Sequence, residues 1–166
     1  MLVLIVRHGI AIDEAPGLGD EERYLTPEGR RKTQLVGVLL RKQTRTLDRV
    51  LTSPLVRAAE TAEIVSAVYE NTPPPQVLPA LATGVAATEA VTALRAFAKH
   101  EDVMIVGHEP QLSAVASILL TGASDVVHLK LKTGGCVAID LPARFERGGG
   151  ELRWLLTHKQ LRTMRK

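Results

Sequence analysis

One run of apolar residues constrains the fold more than any other feature of the chain. Residues 2–7 read LVLIVR, a strand-length segment in which apolar and polar positions do not alternate. Such a run predicts a β-strand that is covered on both faces, as in a parallel sheet packed between helices. It ends in Arg7 and leads directly into His8 and Gly9. A buried strand has no use for adjacent cationic and titratable side chains, so we expect them to serve a site at the edge of the sheet.

Four further segments have the pattern of strands. Residues 49–52 (RVLT) form a short apolar run, and residues 102–110 (DVMIVGHEP) repeat the apolar run that ends in a histidine. Residues 136–141 (CVAIDL) and 151–156 (ELRWLL) indicate two strands, joined by a turn that contains the glycines at 148–150. We expect these last two to pair antiparallel at the margin of the sheet.

Two sites have the residues of a helix start. Thr26, Pro27 and Glu28 place an N-cap side chain, a proline at the first helical position and an acid in the first turn. Ser53 and Pro54 repeat the cap and the proline. Both segments continue with apolar residues at helical spacing, which predicts a core-facing stripe. The stripes are Leu35, Val38 and Leu39 in the first helix, and Leu55, Ala58, Ala62, Val65 and Tyr69 in the second.

Two more helices are predicted further along the chain. The prolines of residues 71–76 (NTPPPQ) indicate an extended connector, after which a helix is expected over about 86–99. Another begins at Pro110 and is stopped by Gly122. The residues expected to face the core are Ala87, Ala90 and Leu94 in the third helix, and Leu112, Val115, Ala116 and Leu119 in the fourth.

Strands therefore alternate with helices along the chain, which predicts the α/β class. We expect a three-layer α/β/α sandwich with a mostly parallel sheet and an antiparallel C-terminal strand or hairpin. No repeat or linker divides the chain, so residues 1–166 are predicted to form a single domain.

Composition excludes several classes of protein. A hydrophobic content of 45% with 23% charged residues argues against general disorder. The single cysteine, Cys136, cannot form an internal disulfide and is expected to be a small buried side chain in a reducing compartment. No stretch approaches the roughly 18–20 apolar residues of a membrane helix, and no signal-peptide pattern is present. We expect a soluble, cytoplasmic protein that does not bind membranes.

The net charge of +3 is concentrated near the C-terminus, in residues 158–166 (HKQLRTMRK). Such a tail could contact nucleic acid or an acidic partner. Only 3% of the residues are aromatic, however, and none lies among these basic residues to stack on bases. A solvated basic end without nucleic-acid binding is the favoured interpretation.

Polar residues follow three of the predicted strands, at 7–9 (RHG), 52–57 (TSPLVR) and 107–110 (GHEP). Ligands of doubly wound sheets bind beyond the carboxyl ends of the strands, so these segments have a geometric reason to converge. They would bring together two arginines, two histidines and a helix start. Guanidinium groups and backbone N–H groups are what a dianionic phosphoryl group needs.

These residues carry a family resemblance. Residues 7–9, LTPEG at 25–29, SPLVRAAETA at 53–62 and VGHEP at 106–110 stand in the order seen in the histidine phosphatase superfamily, and the chain is similar to its compact phosphohistidine phosphatase SixA group. The resemblance implies a phosphoglycerate mutase-like fold. It also implies that His8 is the nucleophile and forms a phosphohistidine intermediate. Arg7, Arg57 and His108 would hold the phosphoryl oxygens, with Gly9 also in the substrate-binding site. Thr61 would either support the site or pack the core.

One element of the family pattern is missing. Larger relatives carry an acidic residue that protonates the leaving group, and Ala80 stands where relatives often have glutamate. The remaining candidate donors are Asp13, Glu14, Glu89 and Glu109. A pocket without a dedicated acid suits the N–P bond of phosphohistidine, since a protonated imidazole leaves readily, whereas an alkoxide leaves poorly.

We therefore predict a phosphohistidine phosphatase whose substrate is a phosphorylated protein and which needs no cofactor and no metal. No cluster of Asp, Glu and His shows metal-ligand spacing, and the arginines supply the positive charge. A monomer is expected. Two alternatives remain open: a phosphomonoesterase of the same fold that acts on small molecules, and a non-catalytic phosphate-binding module.

Overall fold

A six-stranded sheet forms the centre of the protein in the computed structural model, which describes residues 1–142 and 145–163, without the side chains of residues 161 and 162. The strand order is β3-β2-β4-β1-β5-β6. The strands are β1 (Leu2–Arg7), β2 (Arg49–Thr52), β3 (Gln76–Val77), β4 (Asp102–Gly107), β5 (Cys136–Asp140) and β6 (Glu151–Leu156).

The sheet is parallel over its first four strands and antiparallel at one margin. β1 pairs parallel with β4, and β2 pairs parallel with both β3 and β4. β5 runs antiparallel to β1, and β6 runs antiparallel to β5. The predicted mostly parallel sheet with an antiparallel C-terminal hairpin is confirmed. The two-residue strand β3 was not expected, because the preceding prolines indicate only an extended connector.

Side chains of β1 alternate between two hydrophobic clusters on opposite faces of the sheet. Val3 and Ile5 belong to a cluster with α3 (Ala87–Leu94) and α4 (Gln111–Thr121). Leu2, Leu4 and Val6 belong to a cluster with α1 (Pro27–Gln43) and α2 (Val56–Ser66). This arrangement is the three-layer α/β/α sandwich, and it explains why the strand needs apolar residues at every position.

Helix α1 begins as the sequence predicts, and of its predicted stripe Leu39 is buried and Leu35 packs against the core, but Val38 does not. The Thr26 side chain accepts a hydrogen bond from the Gly29 amide, and Pro27 is the first helical residue. Val38, expected in the core, is 42% exposed. Its place is taken by Val36 and Leu40. The reason is the close approach of α1 to α2 at Gly37, where a Cβ atom would lie 3.2 Å from the Cα atom of Val65.

The other helices differ from the predictions mainly at their ends. Helix α2 begins at Val56 instead of at Ser53-Pro54, and its N-cap Leu55 makes no side-chain cap. The third predicted helix ends at Leu94 and continues only as a 3-10 turn, Arg95–Phe97. Helix α4 begins at Gln111, one residue after the predicted start at Pro110, and ends at Thr121. The predicted stop at Gly122 is right, and its φ of +88° is the left-handed conformation that glycine tolerates at a helix C-terminus.

The C-terminal basic segment includes a short helix, α5 (His158–Thr163), which the sequence did not predict. Residues 164–166 of that segment lie outside the described part of the chain. Cys136 is buried in the sheet, and burial raises the pKa of its thiol to about 12. Across the described ranges, no helix has the length and apolar character needed to cross a membrane.

Candidate active site

The register of the sheet places the two histidines side by side. Arg7, the last residue of β1, pairs with Gly107, the last residue of β4, so His8 and His108 leave the sheet from adjacent strand ends. Their ring centroids lie 5.0 Å apart. The His8 amide donates to the carbonyl of Gly107, which ties the two strand ends together. The convergence predicted for these segments is what the parallel pairing produces.

One nitrogen of the His8 ring is fixed by the backbone. Nδ1 lies 2.8 Å from the carbonyl oxygen of Gly9, and because a carbonyl only accepts, Nδ1 carries the hydrogen. Nε2 of the neutral ring then bears the lone pair. Burial lowers the pKa of His8 from 6.5 to about 4, and the charges of Arg57 and Arg7 add to the decrease, against the raising effect of the Gly9 hydrogen bond. The neighbouring cations are therefore the smaller reason that the ring is neutral, and burial is the larger one.

His108 is oriented by Ser53. The hydroxyl oxygen of Ser53 accepts from the Leu55 amide at 3.3 Å and lies 2.8 Å from Nε2 of His108. Because a hydroxyl can donate and can also accept two hydrogen bonds, this contact fixes the orientation of the ring, and the hydrogen of the neutral ring is on Nδ1 when the serine donates to Nε2. Burial, followed by the charges of His8 and Arg57, lowers the pKa of His108 to about 3. Nδ1 is buried and has no hydrogen-bond partner among the described residues.

Arg57 extends from the first turn of α2 and is paired with a carboxylate. Its side chain is only 6% exposed, and Nη2 lies 2.9 Å from Oδ2 of Asp20. Nη1 donates to the backbone carbonyl of the same residue. The other carboxylate oxygen of Asp20 accepts from Nη1 of Arg23 at 2.9 Å. The hydrogen bonds and charge of Arg57, followed by those of Arg23, hold the pKa of Asp20 below its usual value.

Arg7 is oriented through a loop that follows α4. Nη1 donates to the carbonyl of Leu131 at 2.9 Å, and the Leu131 amide donates to the carboxylate of Glu109 at 3.1 Å. Glu109 also accepts from the amide and hydroxyl of Ser113. The Nε atom of Arg7 is buried and, within the described ranges, has no hydrogen-bond partner.

Gly9 and Thr61 hold the loop that carries His8. The hydroxyl of Thr61 donates to the carbonyl of Arg57 at 2.7 Å and accepts from the Gly9 amide at 3.0 Å. Thr61 thus links α2 to the loop after β1. A Cβ atom at Gly9 would lie 2.4 Å from the hydroxyl oxygen of Thr33 on α1, so the position has no room for a side chain. With its amide bonded to Thr61 and its carbonyl to His8, Gly9 holds the loop after β1 in place.

None of the four candidate proton donors is paired with Arg7 or Arg57 among the ion pairs of the described residues. Asp13 and Glu14 are exposed, and Glu14 is 3.8 Å from Arg23. The hydrogen bonds of Glu109 are made to Ser113 and Leu131. Glu89 is exposed and lines a cavity with Ala80, but His8, His108, Arg7 and Arg57 are not among the residues that line it. Among the described residues, Asp20 is the one carboxylate paired with Arg7 or Arg57.

Three residues near the site were not predicted: Ser53, Asp20 and Arg23. The local sequence gives Ser53 the role of a helix cap, although its position directly after a strand, in the segment 52–57, could have suggested a site residue. Asp20 and Arg23 belong to a charged loop, where the sequence shows no periodicity. In the described part of the chain, no three His, Cys, Asp or Glu side chains lie together as metal ligands would.

Comparison with known proteins identifies the family. The model of the histidine phosphatase superfamily (branch 1) matches residues 3–83. An uncharacterized protein of Picosynechococcus sp. is 36% identical over 141 residues, which cover 84% of either chain. The chain belongs to the histidine phosphatase superfamily, branch 1. Members of this family provide the functional context in which the two histidines and two arginines are to be understood.

Solved structures of histidine phosphatases share the whole fold. The protein histidine phosphatase SixA, complexed with tungstate, matches with a TM-score of 0.85 and 26% identity, over 97% of this chain and 99% of that chain. The alpha-ribazole phosphatase from Shigella flexneri matches with a TM-score of 0.74 and 20% identity, over 95% of this chain and 97% of that chain, which shows the common fold. This histidine phosphatase is a hydrolase of the phosphatase class.

Proposed function

We propose that this protein is a phosphohistidine phosphatase in which His8 is the nucleophile. The observation that carries the proposal is the free Nε2 of a neutral His8 in a site with buried nitrogens that have no partner. Nε of Arg7 and Nδ1 of His108 are buried without a hydrogen-bond partner among the described residues. Buried polar groups are seldom left unpaired, and a phosphoryl group would supply oxygens to Nε of Arg7 and, in the tautomer in which Ser53 donates to Nε2, to Nδ1 of His108.

The mechanism begins with attack of the His8 Nε2 lone pair on phosphorus. The new N–P bond forms as the bond between phosphorus and the leaving nitrogen breaks, and the electron pair departs with the leaving imidazole. That imidazole leaves as a neutral ring because its other nitrogen is already protonated. Arg7, Arg57 and His108 hold the phosphoryl oxygens during the transfer, which is the positioning on which phosphoryl transfer depends.

Water completes the reaction by attacking phosphorus of phospho-His8. The N–P bond breaks, its electron pair returns to Nε2, and inorganic phosphate forms with loss of a proton to solvent. The carbonyl of Gly9 keeps the hydrogen on Nδ1 throughout, so the same nitrogen is available for the next cycle.

The choice of phosphohistidine follows from the missing acid. An alkoxide needs a proton as it leaves, and Asp20, the described carboxylate that contacts Arg57, is held in its ionised form by Arg57 and Arg23. The likeness to SixA, a protein histidine phosphatase, supports the same substrate class. A cavity of about 280 Å³ beside Gly9 is lined by Lys32, Lys132 and Lys159 and offers a place for acidic side chains of a substrate protein.

A phosphomonoesterase acting on small molecules is the second candidate. It is favoured by the position of Glu89. This residue lines a cavity together with Ala80, and Ala80 stands where relatives often have glutamate. Glu89 would then have to reach the leaving group as a proton donor. The fold shared with alpha-ribazole phosphatase is compatible with this activity.

The deciding experiment is a competition between a phosphohistidine protein and an alkyl phosphomonoester, with His8→Ala as the inactive control. We expect kcat/KM for phosphohistidine to exceed that for the alkyl ester by about 100-fold or more, the size of a general-acid contribution. We also expect Glu89→Gln to have kcat/KM values for both substrates within about twofold of wild type, because Glu89 is not the proton donor under this proposal. Faster hydrolysis of the alkyl ester, lost in Glu89→Gln, would establish the second candidate instead.

A further inference from the structure

The guanidinium of Arg57 is a buried charge that needs an anionic partner. Its side chain is 6% exposed, and an arginine removed from water is stable only when it is paired and hydrogen-bonded. Among the described residues the partner is Asp20, through a carboxylate oxygen and the backbone carbonyl of the same residue. Arg57 therefore already holds an anion before any substrate arrives.

Asp20 comes to Arg57 from the solvent side of the site. It begins the short 3-10 turn Asp20–Glu22, and its side chain is 44% exposed. Its second carboxylate oxygen accepts from Arg23, which in turn donates from Nε to the carbonyl of Ile12 at 2.8 Å. The carboxylate thus lies between two guanidinium groups, at the outer side of a site whose inner side is formed by the histidines.

A phosphoryl group would require the same cations. Under the proposed function, Arg57 binds oxygens of a dianionic phosphoryl group, and a carboxylate next to that group would repel it. The arginine has five N–H donors, and two of them point to Asp20. An anion that enters the site must compete with Asp20 for this charge, and the exposed position of Asp20 allows it to move away into water.

We propose that Asp20 is an internal anion that pairs with Arg57 in the empty enzyme and gives way to the phosphoryl group, which makes it a determinant of oxyanion affinity. This inference rests on the proposed phosphoryl site. When phosphate is the product, the returning carboxylate neutralises Arg57 and favours release. Arg23 receives the displaced carboxylate, since it already binds the oxygen that faces away from Arg57.

The competing role is simple positioning. If Asp20 only orients Arg57, its removal would leave the guanidinium misplaced and oxyanions would bind more weakly. If Asp20 competes with the phosphoryl group, its removal leaves a buried cation in need of an anion, and oxyanions would bind more tightly. The two roles therefore predict opposite changes in the Kd of an oxyanion when Asp20 is replaced.

The test is the Kd of tungstate and of inorganic phosphate, measured by titration calorimetry on wild type, Asp20→Asn and Glu21→Gln. Glu21→Gln removes the same charge from an exposed neighbour on the same turn. We expect Asp20→Asn to bind both oxyanions about fivefold more tightly or better at low ionic strength, and Glu21→Gln to change by less than about twofold. Asp20→Ser, a second variant without the charge, should bind as tightly as Asp20→Asn.

Equal or weaker binding by both Asp20 variants would overturn the competition, and weaker binding would establish positioning. Thermal unfolding gives an independent readout, because a variant with an unpaired Arg57 should gain more in Tm from added phosphate than wild type does. A wild-type protein that binds neither oxyanion would contradict the phosphoryl site itself. The failure of the proposed function is therefore distinguishable from the failure of the role of Asp20 alone.

Discussion

Burial is the main reason that the pKa of His8 is low and its ring is neutral. The ring lies beside Arg57 and Arg7, but removal from water lowers its pKa more than either charge does. The same holds for His108, whose pKa is about 3. Both rings are therefore neutral across the neutral pH range, as the proposed roles of His8 as nucleophile and of His108 as a ligand of the phosphoryl oxygens require.

The depressed pKa values have a consequence for stability. In the unfolded chain both histidines return to a pKa of about 6.5, so below that pH the unfolded state binds more protons than the folded state. The contribution of each neutral ring to stability is complete above about pH 6.5 and is lost as the pH falls through about 4 for His8 and about 3 for His108.

Replacing one ring should therefore flatten the pH dependence of stability. We expect the Tm of wild type to fall more steeply between pH 6.5 and pH 4 than the Tm of His108→Gln. The measurement is thermal unfolding by circular dichroism across this range in a buffer series of constant ionic strength. Parallel curves for the two proteins would contradict the depressed pKa of His108.

Residues that follow an apolar strand were predictable, whereas partners from loops were not. His8, Arg7 and His108 stand at the ends of strong strand signals, and Arg57 follows another strand closely. Ser53 lies 55 positions from the histidine it contacts, and Asp20 lies 37 positions from Arg57. Contacts between residues so far apart depend on the tertiary structure. A local sequence pattern does not show which distant residues the fold brings together.

At the scale of elements, the loop after β1 is held by α1 and α2. Thr26 caps α1 through the Gly29 amide, and its hydroxyl also donates to the carbonyl of Ile10 at 3.3 Å. Thr61 on α2 holds the Gly9 amide from the other side. Both helices therefore help to place His8, the proposed nucleophile.

Removal of the α1 cap should cost stability and leave the chemistry intact. We expect Thr26→Ala to lower the free energy of unfolding by about 1 kcal/mol, because the cap is lost, and Tm by about 2–4 °C. Thr83→Ala changes an exposed threonine and serves as the matched control. Chemical denaturation and kcat with an aryl phosphate check both points. An unchanged free energy of unfolding, or a kcat reduced as much as in His8→Ala, would contradict this account.

Element boundaries were the least predictable feature. Ser53 and Pro54 have the residues of a helix start, but the serine side chain bonds to His108 and α2 begins only at Val56. Thr26 and Pro27 have the same pattern, and there the prediction was right. The local pattern cannot distinguish the two cases, because the competing partner of Ser53 comes from another strand.

At the scale of the whole molecule, the layered architecture followed from hydrophobic patterning alone. Continuous apolar runs in β1 and β4 require cover on both faces, and helices provide it. Parallel pairing then brings the carboxyl ends of β1, β2 and β4 to one edge, which is where the site lies. The strand β3 and the helix α5 were not predicted, because both are too short to show a periodic pattern of hydrophobic residues.

The most direct test of the account is the site of the covalent intermediate. Enzyme mixed with an activated aryl phosphate is quenched in alkali, which preserves phosphohistidine, and is analysed by mass spectrometry and phosphorus NMR, with His8→Ala as control. We expect the phosphoryl group on Nε2 of His8, because Nδ1 is bonded to the Gly9 carbonyl, and no label in the control. Label on Nδ1 or on another residue, or turnover without a phosphoenzyme, would contradict the central claim that Nε2 of His8 captures phosphorus.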